Sequence, residues 1–107
     1  MNKNEKYNAA ISSSSTGGGW EEASLSQNIP NPFSNTTTIN YSLPKTYSSA
    51  KIIITNRNGV ALKQISLNAK GKGSIKIDAA TLSSGAYQYT LYVDGKIIDT
   101  KRMVSSK

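Results

Sequence analysis

The sequence predicts an all-β chain, an antiparallel sandwich of about seven short strands behind a flexible N-terminal linker. Three observations carry this prediction. Apolar residues recur at period two in successive short stretches from Leu25 onward, the signature of half-buried strands. Two Asx-Gly pairs, Asn58-Gly59 and Asp94-Gly95, sit between such stretches, where two-residue hairpin turns belong. No segment repeats its apolar residues at helical spacing.

Ile39, Tyr41 and Leu43 alternate with Asn40 and Ser42, and AKIIITN (50–56) is rich in β-branched residues. Pairing across Asn58-Gly59 sets Ile52 opposite Ile65 and Ala50 opposite Leu67. Ala50, Ile52, Ile54, Ile65 and Leu67 then share one face, so turn and pattern agree on the register. AKGKG (69–73) reads as a turn and SIKID as a short strand with Ile75 and Ile77 inward. LSSG (82–85) reads as a loop. AYQYTLYV and KIIDTKRMV then pair across Asp94-Gly95, Leu91 facing Ile98 and Tyr89 facing Thr100. Tyr87, Tyr89, Leu91, Val93, Ile98 and Val104 make the apolar face; Gln88, Thr90, Asp99 and Lys101 make the polar one. Strands of this number and spacing suggest an immunoglobulin-like sandwich, with jelly-roll and barrel arrangements as alternatives.

The chain divides in two. Residues 1–24 read as linker, because SSSSTGGG (12–19) offers too little apolar surface to offset its ordering entropy. Residues 25–107 read as the domain. Of the net charge of +7, the linker contributes −1 and the domain +8, from eleven basic and three acidic residues. Such a domain attracts polyanions, although its lysines alternate with apolar residues as on any solvated face. No basic stretch is interleaved with exposed aromatics, so no nucleic-acid partner is expected. The chain has no cysteine and no histidine. This removes disulfides, thiolate metal sites and the usual general base and nucleophile pairs. Asp78, Asp94 and Asp99 are too scattered for a calcium loop, so neither cofactor nor metal is expected, and neither is catalysis. The N-terminus has no apolar core of the signal-peptide kind, so an export signal would lie on a longer precursor.

All three prolines, Pro30, Pro32 and Pro44, and the only phenylalanine, Phe33, fall within QNIPNPFSNTTTINYSLP (27–44). Each proline fixes φ and removes a donor; Ile29 and Asn31 before them are pushed toward extended geometry. Asn31 can also bond its own backbone two residues on. The segment should therefore leave one strand, turn stiffly and drop Phe33 onto the core.

LSQNIPNPFSNTTTINYSLP (25–44) resembles the opening block of the type IX secretion C-terminal sorting domain, type A. KIIITNRNGVALKQISL resembles its second block, and LSSGAYQYTLYVDGKIIDTKRMV its closing block. The three blocks occur in order from Leu25 to Val104, which is more specific than any one of them. The family motif at the domain start falls on Asn28, Pro30, Asn31, Pro32 and Phe33.

The resemblance implies a non-catalytic export address for a cargo domain N-terminal to this chain. The cargo would pass through the periplasm of a Gram-negative bacterium. Outer-membrane translocon and shuttle proteins would recognise the folded domain. A sortase-like cysteine protease would then remove it, leaving the cargo at the surface, joined to anionic lipopolysaccharide, or released. The spacer is the candidate cleavage region, including Ser12, Ser15, Gly17 and Gly19, because small flexible residues enter a protease cleft readily. The last strand is the candidate recognition element, with Gly95, Lys96, Lys101, Arg102, Met103 and Val104. Its edge, if exposed, could pair with a receptor strand. One rival reading is an adhesive or carbohydrate-binding module with an aromatic platform of Trp20, Tyr47 and Tyr92; another is a purely structural spacer.

Overall fold

The computed structural model describes residues 23–106. Seven strands make two antiparallel sheets: β1 (Ser24–Leu25), β2 (Thr36–Leu43), β3 (Ala50–Asn56), β4 (Ala61–Leu67), β5 (Gly71–Asp78), β6 (Gly85–Val93) and β7 (Lys96–Ser105). The first sheet has the order β1-β2-β5 and the second β4-β3-β6-β7. A 3-10 turn, Ala79–Thr81, follows β5, with the Asp78 carboxylate accepting from the Ala80 N–H.

Burial alternates along β2, β3 and β6 as the period-two pattern predicts. Ile39, Tyr41, Leu43 and Ile77 from the first sheet meet Ile52, Ile54, Tyr89, Leu91 and Met103 from the second in one core. The molecule is thus an all-β sandwich, as the sequence predicts. Phe33 is only 1% exposed and belongs to that core.

The β3–β4 register is the expected one, with Ile52 opposite Ile65 and Ala50 opposite Leu67. The turn that produces it differs. Gly59 has φ +82, but Asn58 does not have positive φ. The Gly59 N–H bonds the Asn56 carbonyl, and the Asn56 side chain accepts from the Asn58 and Val60 N–H groups. This three-residue loop would shift the pairing by one. A bulge opposite Ile54 and Thr55 absorbs the extra residue and restores the register.

The β6–β7 hairpin shows the opposite outcome. Its turn is the expected two-residue kind, with Asp94 at φ 52 and Gly95 at φ 80. A bulge between Leu91 and Tyr92 then slips the register, so Leu91 faces Asp99 and Tyr89 faces Lys101, not Ile98 and Thr100. A one-residue slip exchanges the two faces of a strand. Beyond the bulge Asp99, Lys101, Met103 and Ser105 therefore point inward, and Val104 points out. Met103 is fully buried, whereas Val104 pairs with Ala86 on the outer face.

A further correction concerns Gly71–Gly73. These residues are not a turn but the first three of β5, paired with Leu43, Ser42 and Tyr41. A Cβ on Gly73 would lie 2.6 Å from the Tyr41 hydroxyl oxygen and 2.7 Å from Cζ. A glycine there clears the space for the tyrosine ring.

Candidate functional site

The functional reading rests on two segments far apart in sequence, the proline-rich opening and the last strand. The structure joins them. The chain from Ser24 runs antiparallel to β2, and the Ser26 N–H bonds the Asn40 carbonyl at 2.9 Å. Ile29 and Thr38 exchange both backbone bonds at 2.9 Å. Pro30 and Pro32 then interrupt the ladder, since neither has an N–H to give. Both proline peptide bonds are cis. Phe33 re-emerges on the other sheet, bridged in parallel to Ser105 of β7. Its N–H bonds the Val104 carbonyl at 2.9 Å, and its carbonyl accepts from the Ser106 N–H at 2.8 Å. The opening segment thus begins as an edge strand of one sheet and ends as edge partner of the other.

Side chains complete the seam. The Asn31 carboxamide oxygen accepts from the Val104 N–H at 2.9 Å. It does not bond its own backbone two residues on, because the last strand offers it an unpaired donor. The Gln27 amide donates to the Arg102 carbonyl at 2.5 Å. Asn28 is 2% exposed and is satisfied three times. Its Nδ2 donates to the Pro30 carbonyl (3.1 Å) and Thr37 Oγ1 (2.9 Å), and its Oδ1 accepts from Gln27 (2.7 Å). Thr37 in turn donates to the Pro30 carbonyl at 2.8 Å. Behind this cluster the Tyr89 hydroxyl donates to the Ser26 carbonyl at 2.7 Å. Burial pushes the Tyr89 phenol up to about 12, and the Asp99 charge adds to the rise.

These contacts sort the predicted site residues. Asn28, Phe33 and Met103 are buried; Phe33 bonds across the seam and Asn28 braces the opening segment against β2. Ile29, Pro30, Asn31, Pro32 and Arg102 are exposed along it, with Ile29 65% exposed. Lys101 is half-buried and pairs with Asp99 at 3.4 Å. Gly95 and Lys96 lie at the other end of β7, apart from the seam. Ser12, Ser15, Gly17, Gly19 and residues 1–22 of the linker lie outside the described residues, whereas Ser24, read as its last residue, is the first of β1. β7 is the edge strand of its sheet, and from Arg102 to Ser106 that edge is covered by residues 27–33. Farther up the strand the Asp99 carboxylate accepts from the Thr100 N–H at 2.8 Å. Gln27, Thr37 and Ser106 were missed as parts of the site. Gln27 and Thr37 carried a signal, as members of the opening block, and Ser106 carried none.

Only part of the proposed aromatic platform lies among the described residues. Trp20 lies outside the described residues. Tyr47 packs on the core and donates its hydroxyl to the Ala69 carbonyl at 2.6 Å. Among the described residues no group of three His, Cys, Asp or Glu could hold a metal ion. The carboxylates of Asp78, Asp94 and Asp99 are all engaged by backbone N–H groups. The seam therefore presents a folded surface whose edge backbone groups on β7, from Arg102 to Ser106, are taken up by the opening segment.

The family model described as the secretion system C-terminal sorting domain matches residues 28–106, which includes the whole seam from Asn28 onward. That family is a sorting signal and not a catalytic one. Comparison with curated proteins and with solved structures returns no significant match.

Proposed function

Because the chain belongs to the secretion system C-terminal sorting domain family of the type IX system, we propose that it directs an N-terminal cargo across the outer membrane and is then cut away. The seam is the observation that carries the reading in detail. The opening and closing blocks of the family pattern form one hydrogen-bonded unit. A receptor for this signal reads a folded surface along Ile29, Pro30, Pro32 and Arg102, not a loose peptide end. Translocon and shuttle proteins make that reading. A sortase-like cysteine protease then severs the chain within residues 12–24, and the cargo is joined to anionic lipopolysaccharide or released. The route runs through the periplasm to the cell surface or medium.

The test is a fluorescent protein carrying a periplasmic signal, fused ahead of residues 1–107 and expressed in hosts with and without the protease. The expected result is surface or medium fluorescence with the domain lost, and an uncut fusion without the protease. A fusion retained in the periplasm would overturn the reading, provided a known cargo's domain exports in the same host. A glycan-binding module has no such support here, since Tyr47 is spent on the core.

A further inference from the structure

The two ends of the described chain leave opposite ends of the sandwich. Ser24 pairs with Ser42 near the close of β2, whose Leu43 pairs with Gly71. The β2–β3 connection that follows meets the Asp94–Gly95 turn: the Asp94 N–H bonds the Ser49 carbonyl at 2.8 Å, and its carboxylate accepts from Ser48 and Ser49. β1 therefore starts at the pole that carries this turn. β7 runs its ten residues away from that turn and finishes beside Phe33. At about 3.3 Å per residue the two poles are roughly 30 Å apart.

The pole where β1 starts also carries an apolar patch that the fold does not use. Ile97 is 63% exposed, among the most exposed large apolar side chains described. It pairs with Tyr92 on the outer face of the second sheet, and Tyr92 pairs with Lys51. The Lys51 ammonium lies 5.6 Å from the centroid of the Tyr92 ring. β1 packs against the inner face of β7, so the patch shares this end of the sandwich with the start of β1 but lies on the outer face of the second sheet. An exposed aliphatic and an aromatic under a cation make a compact anchor with a basic rim.

We propose that Ile97, Tyr92 and Lys51 form the docking surface of the protease that severs the upstream segment, while the seam at the other pole stays free for the translocon. The inference rests on the sorting-domain reading. The upstream segment, residues 1–22, joins the domain at this pole, so a protease anchored on the patch meets its substrate in cis. Its complementary surface is an apolar depression rimmed by carboxylates. Holding the domain raises the effective concentration of the scissile segment at the cleft, which a linker peptide alone lacks.

The experiment uses the full chain and the purified protease of a host that exports it. Cleavage rates at sub-saturating substrate are compared for the unaltered chain, Ile97→Thr, Lys51→Glu and Val60→Ser. Ile97→Thr keeps the β-branched shape that suits a strand, and thermal midpoints check that each variant is folded. Val60 is 54% exposed at the far hairpin and serves as a surface control. Cleavage should fall about tenfold for Ile97→Thr and Lys51→Glu, toward the rate of a free peptide of residues 10–26, and stay unchanged for Val60→Ser. Wild-type rates for both patch variants would overturn the proposal. Wild-type rates together with a dimer that Ile97→Thr dissociates would assign the patch to self-association instead. If the unaltered chain is not cut at all, the sorting-domain reading fails, and this inference with it.

Discussion

Asn28 is the most informative residue to perturb, because three bonds converge on one buried carboxamide. Asn28→Ala removes all three. Each is worth roughly 0.5–1.5 kcal/mol net, so the loss is about 3 kcal/mol. The partners left behind moderate it: Pro30 O still receives the Thr37 hydroxyl, and Gln27 still reaches Arg102 O. For a domain of this size the thermal midpoint should fall by roughly 10–20 °C. Asn28→Asp keeps the shape but replaces the Nδ2 donor with an oxygen facing the Pro30 carbonyl. Burial there raises the carboxyl's folded-state pKa above the unfolded value of about 3.9. The protonated form is then favoured by folding. Stability relative to the unaltered chain should be best near pH 3, and should decline as pH rises past about 4 until the folded-state pKa is passed. Chemical denaturation of both variants from pH 3 to 8 reads this directly. A pH-independent deficit for Asn28→Asp, or a loss below about 0.5 kcal/mol for Asn28→Ala, would refute the buried-donor argument.

Three other perturbations follow from the same packing. Gly73→Ala drives a methyl group into the Tyr41 ring; it should cost about 1–3 kcal/mol, and Tyr41→Leu in the same chain should recover much of it in a denaturant titration. Phe33→Ala should cost about 3–5 kcal/mol and, by hydrogen exchange, deprotect the Ser106 amide that its carbonyl receives. The Tyr89 phenol titrates near 12 folded and near 10 unfolded, so its contribution is intact below pH 10 and is lost as pH climbs through 12. Tyr89→Phe should flatten that alkaline decline while costing about 1 kcal/mol at neutral pH for the lost bond to Ser26.

The parts of the fold legible in the sequence were those set by alternation and by local turns. Ile52 against Ile65 was correct because the bulge beside Leu62 offsets the longer loop, a cancellation that no pattern announces. On β7 no such cancellation occurs. Ile97 and Ile98 are adjacent apolar residues, so the pattern alone could not say which was the inserted one. Placing both charged residues inward after the bulge runs against binary patterning, yet Asp99 and Lys101 satisfy each other there. Inward charges of this sort also guard an edge strand against pairing with strangers. The seam was half legible. The prolines marked a stiff departure from β2, and Phe33 a return to the core. What they approach was not, because Asn31 and Val104 meet across a separation of 73 residues, and single-sequence patterns do not report long-range pairing.

The parallel bridge between Phe33 and Ser105 also bears on the order of folding. The hairpins β3–β4 and β6–β7 are local and can close as soon as they are made. The first-written segment of the domain has its partner in the last-written strand, so its loop is the longest and the slowest to close. During synthesis Asn31 and Phe33 must wait for residues 102–106 to appear. The domain therefore reaches its finished surface after the other strands have had time to form. A chain that stops short of β7 never reaches that surface, so the docked segment acts as a seal on a complete copy.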